Sequence, residues 1–211
     1  MLDRTVRVQR VYRGFAPFYN GFRAIWSAWT RAAESDLDTL FASRVGPESR
    51  ILELGPGTGV NLARLRRRAP DFRSYLGIDA SEPMLRRARA TAGSDDRIEL
   101  RLADVADLSA AGADGPFDMI VSTWMLSHLD DPASVVRDAV GRLGSDGTAV
   151  FVFSSTPRNR AFRWIAGHVY HALAADPIDA GLILSLPGLE FTKHYAGGLA
   201  TLAVFRAEPS A

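Results

Sequence analysis

The sequence predicts an α/β protein: a doubly wound, mostly parallel seven-stranded sheet that ends in an antiparallel β-hairpin, behind an N-terminal helical segment. Three observations predict it. Short apolar runs alternate with segments of helical periodicity from Arg50 to Phe153, the pattern of successive βα units feeding one parallel sheet. A glycine-rich loop, Gly55-Pro-Gly-Thr-Gly59, lies between the first strand and the first helix of that series, where such sheets bind ligands. The tail from Leu189 to Phe205 reads as two strands joined at Gly197-Gly198, and a connection that short makes a hairpin.

Each element has its own signal. Residues 15–44 carry Phe18, Phe22, Ile25, Trp26 and Trp29 at three- and four-residue spacing and predict a helix, which Gly46-Pro47 ends. Arg50-Ile-Leu-Glu-Leu54 predicts the first strand, and helix follows from about Gly59 to Arg68, closed by Ala69-Pro70-Asp71. Ser74-Tyr-Leu-Gly-Ile-Asp79 predicts the second strand; Ser81-Glu-Pro then opens a helix with Pro83 in its first turn, where proline is tolerated. Arg97–Leu102 and Phe117–Val121 predict the third and fourth strands. Asp131-Pro132 is a cap-plus-proline start for a helix over about 131–143, and the apolar Gly147–Phe153 is the fifth strand.

Composition narrows the function. With 25 basic and 24 acidic residues the formal net charge is +1, without the basic excess that a nucleic-acid binder concentrates on one face. Zero cysteine removes disulfides, thiolate zinc sites, iron–sulfur clusters and a cysteine nucleophile together. No apolar run approaches the ~20 residues of a membrane span. The start, Met1-Leu-Asp-Arg-Thr-Val-Arg, carries charges where a signal peptide needs an apolar stretch; a cytoplasmic protein is expected. No cluster of His, Asp and Glu has metal-ligand spacing, so no metal is expected. Nothing in the sequence sets the oligomeric state.

Glycines at 55, 57 and 59 allow a tight turn, close approach of backbone to ligand and free N–H groups at the following helix start. The dinucleotide fingerprint wants its third glycine at position 60, where this chain has Val60; that weighs against a nicotinamide cofactor. Asp79 closes the second strand and Asp104 follows the third. An acid after the second strand accepts from ribose hydroxyls, and one a strand further along can accept from an exocyclic amine. Singly, Asp79 reads equally as a helix cap and Asp104 as a turn residue. Together with the glycine loop they describe a pocket for a nucleoside without phosphate.

Ile51-Leu-Glu-Leu-Gly-Pro-Gly-Thr-Gly59, Gly77-Ile-Asp-Ala-Ser-Glu-Pro-Met-Leu85, Ala103-Asp104 and Phe117-Asp-Met-Ile-Val121 resemble the successive motifs of class I S-adenosylmethionine-dependent methyltransferases. Tyr12-Arg-Gly-Phe-Ala-Pro-Phe-Tyr-Asn20 is similar to the aromatic N-terminal segment of the branch acting on quinones, lipids and other small molecules, with Asn20 where that branch often has Asp. The resemblance implies a Rossmann-like methyltransferase fold, S-adenosylmethionine as cofactor, S-adenosylhomocysteine as product and a small, apolar or amphipathic acceptor. It implies that Gly55, Gly57 and Gly59 pass close to the methionine part and ribose, with Glu53 beneath the loop. It gives Asp79 the ribose, Ala80 and Met84 the flanks of the adenine, Asp104 the adenine amine and Val105 a backbone contact. Ser122 and Thr123 border the methionine moiety, and Tyr19 closes over the cofactor.

For the acceptor side, Trp124-Met-Leu-Ser-His128 follows the fourth strand. His128 reads either as a proton acceptor or as a structural residue before Asp130-Asp131; with Tyr19 it is the candidate catalytic residue. Residues 158–173 predict a helix near the acceptor. Its His168 and His171 share a face but have no acidic neighbour, and read as surface or pocket residues. The aromatic stripe over 18–29 fits a membrane surface or a lid over an apolar mouth; the lid is preferred. This divides the chain into a helical lid segment, 1–45, and a cofactor-binding core, 46–211. The rival readings are a nucleotide-dependent oxidoreductase and a non-catalytic cofactor-binding protein of the same fold.

Overall fold

The computed structural model describes the backbone of residues 19–156 and 177–207, with side chains from residue 31 onward within those ranges. The side chains of Tyr19, Phe22, Ile25, Trp26 and Trp29, and the whole expected helix 158–173 with His168 and His171, lie outside the described residues.

The elements run α1 (Tyr19–Arg44), β1 (Arg50–Leu54), α2 (Val60–Arg68), β2 (Ser74–Asp79), α3 (Glu82–Ala92), β3 (Ile98–Leu102), β4 (Phe117–Thr123), a 3₁₀ turn (Leu126–His128), α4 (Pro132–Val140), β5 (Leu143–Ser154), α5 (Ala180–Leu184), β6 (Leu189–Tyr195), a second 3₁₀ turn (Ala196–Gly198) and β7 (Ala200–Arg206). All seven strands form one sheet in the order β3-β2-β1-β4-β5-β7-β6. β1 to β5 are parallel, and β7 lies antiparallel between β5 and β6. The chain winds outward from β1 to β3, then crosses back to place β4 on the other side of β1. The crevice at that switch point is where an open α/β sheet receives a ligand.

Alternation along the strands divides the core into two layers. Leu52, Leu54, Ile78, Ile120, Phe151, Phe153 and Phe205 face α4 and α5, with Phe151 and Phe205 edge to face at 5.9 Å. Ile51, Met119, Val121, Val150, Val152, Leu202 and Val204 face the other side, beneath Ala33, Leu37, Leu40 and Phe41 of α1 and Leu62 and Leu65 of α2. The second half of α1 is therefore packed into the core, and ion pairs hold it there. Arg44 grips Glu190 of β6 through both nitrogens, at 2.8 and 3.0 Å. Asp36 receives Lys193 at 3.0 Å and the Tyr195 hydroxyl at 2.5 Å. Arg64 of α2 reaches Asp38 at 3.0 Å and also pairs with Glu34.

The expected helix over 131–143 is shorter, because Gly141 closes α4 and Leu143 already pairs with Phe117. Asp131 caps it, its carboxylate accepting from the Ser134 N–H at 2.9 Å. Consequently β5 begins before Gly147, across a register shift opposite Phe117 and Met119. The short α5, capped by Asp179, had no periodic signal long enough to announce it. Among the described residues no helix is long and apolar enough to cross a membrane.

Candidate functional site

The loop after β1 is built by backbone conformation. Gly55, Gly57 and Gly59 all have positive φ, at 72°, 56° and 82°, a region that costs other residues ~1–2 kcal/mol. Their surroundings differ. A Cβ on Gly55 would stand 2.6 Å from Met125 Cγ, and one on Gly59 3.1 Å from Ala88 Cα, whereas one on Gly57 would meet nothing within 4 Å. Gly55 thus lets the β4 loop close against the β1 loop, Gly59 lets α3 approach, and Gly57 presents open space.

That space belongs to a cleft of about 510 Å³, counted out to solvent, between the glycine loop, the second half of α1, α2 and the end of β4. Ala33, Leu37, Val60, Trp124 and Val152 supply its apolar walls, and Glu34, Asn61, Arg64 and Thr123 its polar ones. Trp124 has φ +64°, unusual for a bulky residue and characteristic of strained positions at functional sites. Its N–H donates to the Val152 carbonyl at 2.7 Å.

Beneath the loop Glu53 is 0% exposed. Asn61 donates to its Oε1 at 2.8 Å and the Tyr75 hydroxyl to its Oε2, while the same Asn61 nitrogen reaches Thr123 Oγ1 at 2.9 Å. Burial pushes the Glu53 carboxyl up to about 7, against these two bonds and helped by the nearby Asp79 charge. Asn61 and Tyr75 escaped sequence reasoning. The one available signal was period two: Tyr75, Gly77 and Asp79 share a face of β2.

Asp79 is half-buried. One oxygen accepts from the Gly57 N–H at 3.0 Å and the other from the Ser81 N–H at 2.8 Å. Burial raises its pKa, against those two bonds. Each oxygen retains a second acceptor site. Asp79, which singly reads as a helix cap, instead holds the N–H of Ser81, the residue at the N-cap of α3, and remains a carboxylate with capacity to spare. One strand over, Asp104 is exposed and accepts from the Ala106 N–H at 2.9 Å, with Val105 nearly buried beside it. The strand ends are joined where the Ala103 N–H donates to the Asp79 carbonyl at 3.2 Å. Ala80 is half-buried and Met84 buried, at the start of α3.

Strand alternation separates Ser122 from Thr123. Thr123 lines the cleft; Ser122 is 0% exposed, beside Phe151 in the register, and its hydroxyl has no partner among the described residues. His128 ends the 3₁₀ turn after β4, half-buried, with its N–H on the Met125 carbonyl at 2.9 Å. Tyr19 opens α1. No three His, Asp or Glu side chains among the described residues converge on a metal site.

The residues present suit an adenosyl amino acid. Gly57 leaves a cradle that a Cβ would fill, Asp79 keeps free lone pairs facing that loop, and the cleft continues between α1 and the end of β4. Among the described residues no cluster of basic side chains meets the loop to receive phosphate, since Arg64 is paired with Glu34 and Asp38.

Comparison with known proteins agrees. Residues 51–147 match the family described as "Methyltransferase domain". The chain is 31% identical over 171 residues to the ubiquinone biosynthesis O-methyltransferase of Acinetobacter baylyi, covering 69% of this chain and 70% of that protein. It is 26% identical over 192 residues to the ubiquinone/menaquinone biosynthesis C-methyltransferase UbiE of Geotalea daltonii, covering 86% and 77%. Among solved structures, a chain from the complex of the Haloferax volcanii Trm112 methyltransferase activator with a methyltransferase superposes with TM-score 0.73 over 97% of this chain and 98% of that one. At 17% identity that likeness concerns the fold. The chain belongs to the class I S-adenosylmethionine-dependent methyltransferases, related to the branch that acts on small molecules, and S-adenosylmethionine is its cofactor.

Proposed function

We propose that this enzyme transfers the methyl group directly, in line, to a small apolar or amphipathic acceptor in the cytoplasm. The observation that carries the reading is the cleft at the β1/β4 switch point, which Gly57, open where a Cβ would stand, lines together with Thr123, Trp124 and the apolar Ala33 and Leu37 of α1. The bound cofactor supplies an activated methyl on a sulfonium, so the chain needs no covalent nucleophile. Its own work is to position two reactants, and effective concentration is a large source of rate in such a step.

In this reading Asp79 receives the ribose hydroxyls on its free lone pairs, and Ala80 and Met84 flank the adenine. Asp104 takes the adenine amine and Val105 lends backbone. Gly55, Gly57 and Gly59 hug the ribose and methionine part. Glu53 supports that loop through Asn61 and Tyr75. Thr123 borders the methionine moiety with its side chain; Ser122, the residue before it, is buried on the other face of the same strand. The acceptor atom gains the methyl and loses a proton, which His128 receives. The expected lid, residues 1–45 with Tyr19 at the cofactor, lies in part outside the described residues; its described end is fixed to the core through Asp36, Asp38 and Arg44.

The test uses S-adenosylmethionine labelled in the methyl group, incubated with the enzyme and a panel of quinols, phenols, fatty acids and amines. Label is expected in an organic-extractable product. Calorimetry on the same protein should show binding of S-adenosylhomocysteine and none of NAD. Preference for NAD would overturn the cofactor assignment; tight cofactor binding with no labelled product from any class would overturn the acceptor reading.

A further inference from the structure

The carboxyl edge of the sheet carries a second hollow, on the face away from α1. Period-two alternation along β6 sends Lys193 and Tyr195 to Asp36 of α1 and His194 to the opposite face. There His194 stands in register with Thr201 of β7, its Nδ1 2.9 Å from Thr201 Oγ1. Thr201 Oγ1 lies 2.8 Å from Ser155 Oγ, and Ser155 donates to the Gly198 carbonyl at 2.8 Å. Thr201 is 0% and Ser155 3% exposed.

Counting protons fixes every direction in this chain. A carbonyl only accepts, so the single Ser155 proton is committed to Gly198. The Ser155–Thr201 bond then takes the Thr201 proton. None is left for His194, and the third bond requires Nδ1–H as its donor. Neutral His194 is held as the Nδ1–H tautomer, and Nε2 keeps a bare lone pair with no partner among the described residues. A bond at one ring nitrogen setting the role of the other is how proteins orient functional histidines.

His194 is exposed and lines a hollow of about 910 Å³, counted out to solvent. Ala180, Leu184, Gly197 and Gly198 supply small and apolar surface, and no Asp, Glu, Lys or Arg among the described residues lines it. A lone pair beside small and apolar surface accepts from a hydroxyl or N–H donor on an apolar body and repels the lone pairs of a carboxylate or phosphate. β6 lies three strands from β4, on the order of 14 Å at ~4.8 Å per strand.

We propose that His194 is a second recognition point for the acceptor, binding through Nε2 a neutral hydroxyl or N–H group that lies away from the methylated atom. This rests on the methyltransferase reading above and adds a requirement to it: the acceptor is elongated and carries a donor at its far end.

Nitrogen-15 NMR of the imidazoles in the S-adenosylhomocysteine complex at pH 8.5 tests it, with His194→Gln identifying the signal. An unprotonated Nε2 is expected. Thr201→Val removes the acceptor of Nδ1–H, and Ser155→Ala frees the Thr201 proton to be donated to Nδ1; either variant is expected to move the signal toward the Nε2–H form. Phenol should shift the wild-type Nε2 signal saturably, benzoate should not, and His194→Phe should weaken phenol about tenfold, the worth of one hydrogen bond. A protonated Nε2 in the wild type, or equal responses to phenol and benzoate, would overturn the proposal. Calorimetry with S-adenosylhomocysteine separates the two levels: failure to bind undoes the methyltransferase reading and this site with it, whereas the wrong tautomer in a protein that binds undoes only this site.

Discussion

The backbone N–H of Gly57 donates to the carboxylate of Asp79 at 3.0 Å, so the loop after β1 is fastened to the end of β2 before any ligand arrives. The same carboxylate holds the Ser81 N–H at the entrance to α3. One side chain thereby sets the shape of the loop and keeps a further acceptor site on each oxygen.

Asp79→Ala should therefore lose more cofactor affinity than Asp104→Ala. Bonds to a charged acceptor are worth ~1.5–3 kcal/mol, which is roughly 10- to 150-fold in dissociation constant for S-adenosylhomocysteine. Asp79→Ala should also lower the melting temperature, because two N–H groups lose their acceptor, whereas the exposed Asp104 holds only Ala106. Calorimetry and thermal melts on both variants check this, and equal losses of affinity would remove Asp79 from the ribose.

Two glycines of one loop should fail in different ways. Gly57→Val fills the space left for the ligand, so binding should be abolished while the fold survives with only the ~1–2 kcal/mol strain of its positive φ. Gly55→Ala drives a Cβ into Met125 and should destabilise the fold by more than that strain. Denaturant titration beside ligand titration separates the two; a Gly57→Val protein that binds normally would displace the cofactor from this loop.

Glu53 sets a pH dependence. Its folded pKa of about 7 stands above the ordinary 4.5, so between those values the folded state holds a proton that the unfolded state has released. Its contribution to stability is most favourable below about 4.5, falls as pH rises and levels off above about 7, a loss on the order of 3 kcal/mol. Asp79, also raised, acts in the same direction; Glu190, whose pKa is lowered chiefly by its bond from Arg44, acts oppositely, losing stability as pH falls. Glu53→Gln should flatten the decline between pH 5 and pH 8 relative to the wild type. Parallel curves would show that the Glu53 proton is not linked to folding.

His128→Ala should leave S-adenosylhomocysteine affinity and melting temperature near those of the wild type and cut label transfer by ~10²–10⁴-fold. The loss should shrink as assay pH rises and the acceptor ionises unaided. A loss constant across pH would assign His128 to positioning, and an early-melting variant with normal activity per folded molecule would make it structural.

Label transfer should persist in EDTA, since the sulfonium provides its own electrophile. Loss restored by Mg²⁺ would overturn that expectation.

The sequence by itself determined the succession of elements. Period and punctuation are local, and they placed β2 at Ser74–Asp79, the cap at Asp131 and the turn between β6 and β7 where the structure has them. They also singled out the glycine loop and the two aspartates, because a chain that must turn sharply after a strand needs residues with few alternatives. What only the tertiary structure decided are relations between distant segments. Setting β4 beside β1 brings Met125 onto Gly55 and Thr123 within reach of Asn61, 62 residues away. Inserting β7 antiparallel beside β5 puts His194, Thr201 and Ser155 into one proton-ordered chain. The reason is physical: hydrophobic alternation says which face of a strand is buried, but not which neighbour covers it, and the partner of a polar side chain is set by the strand order that buries the most apolar surface at once.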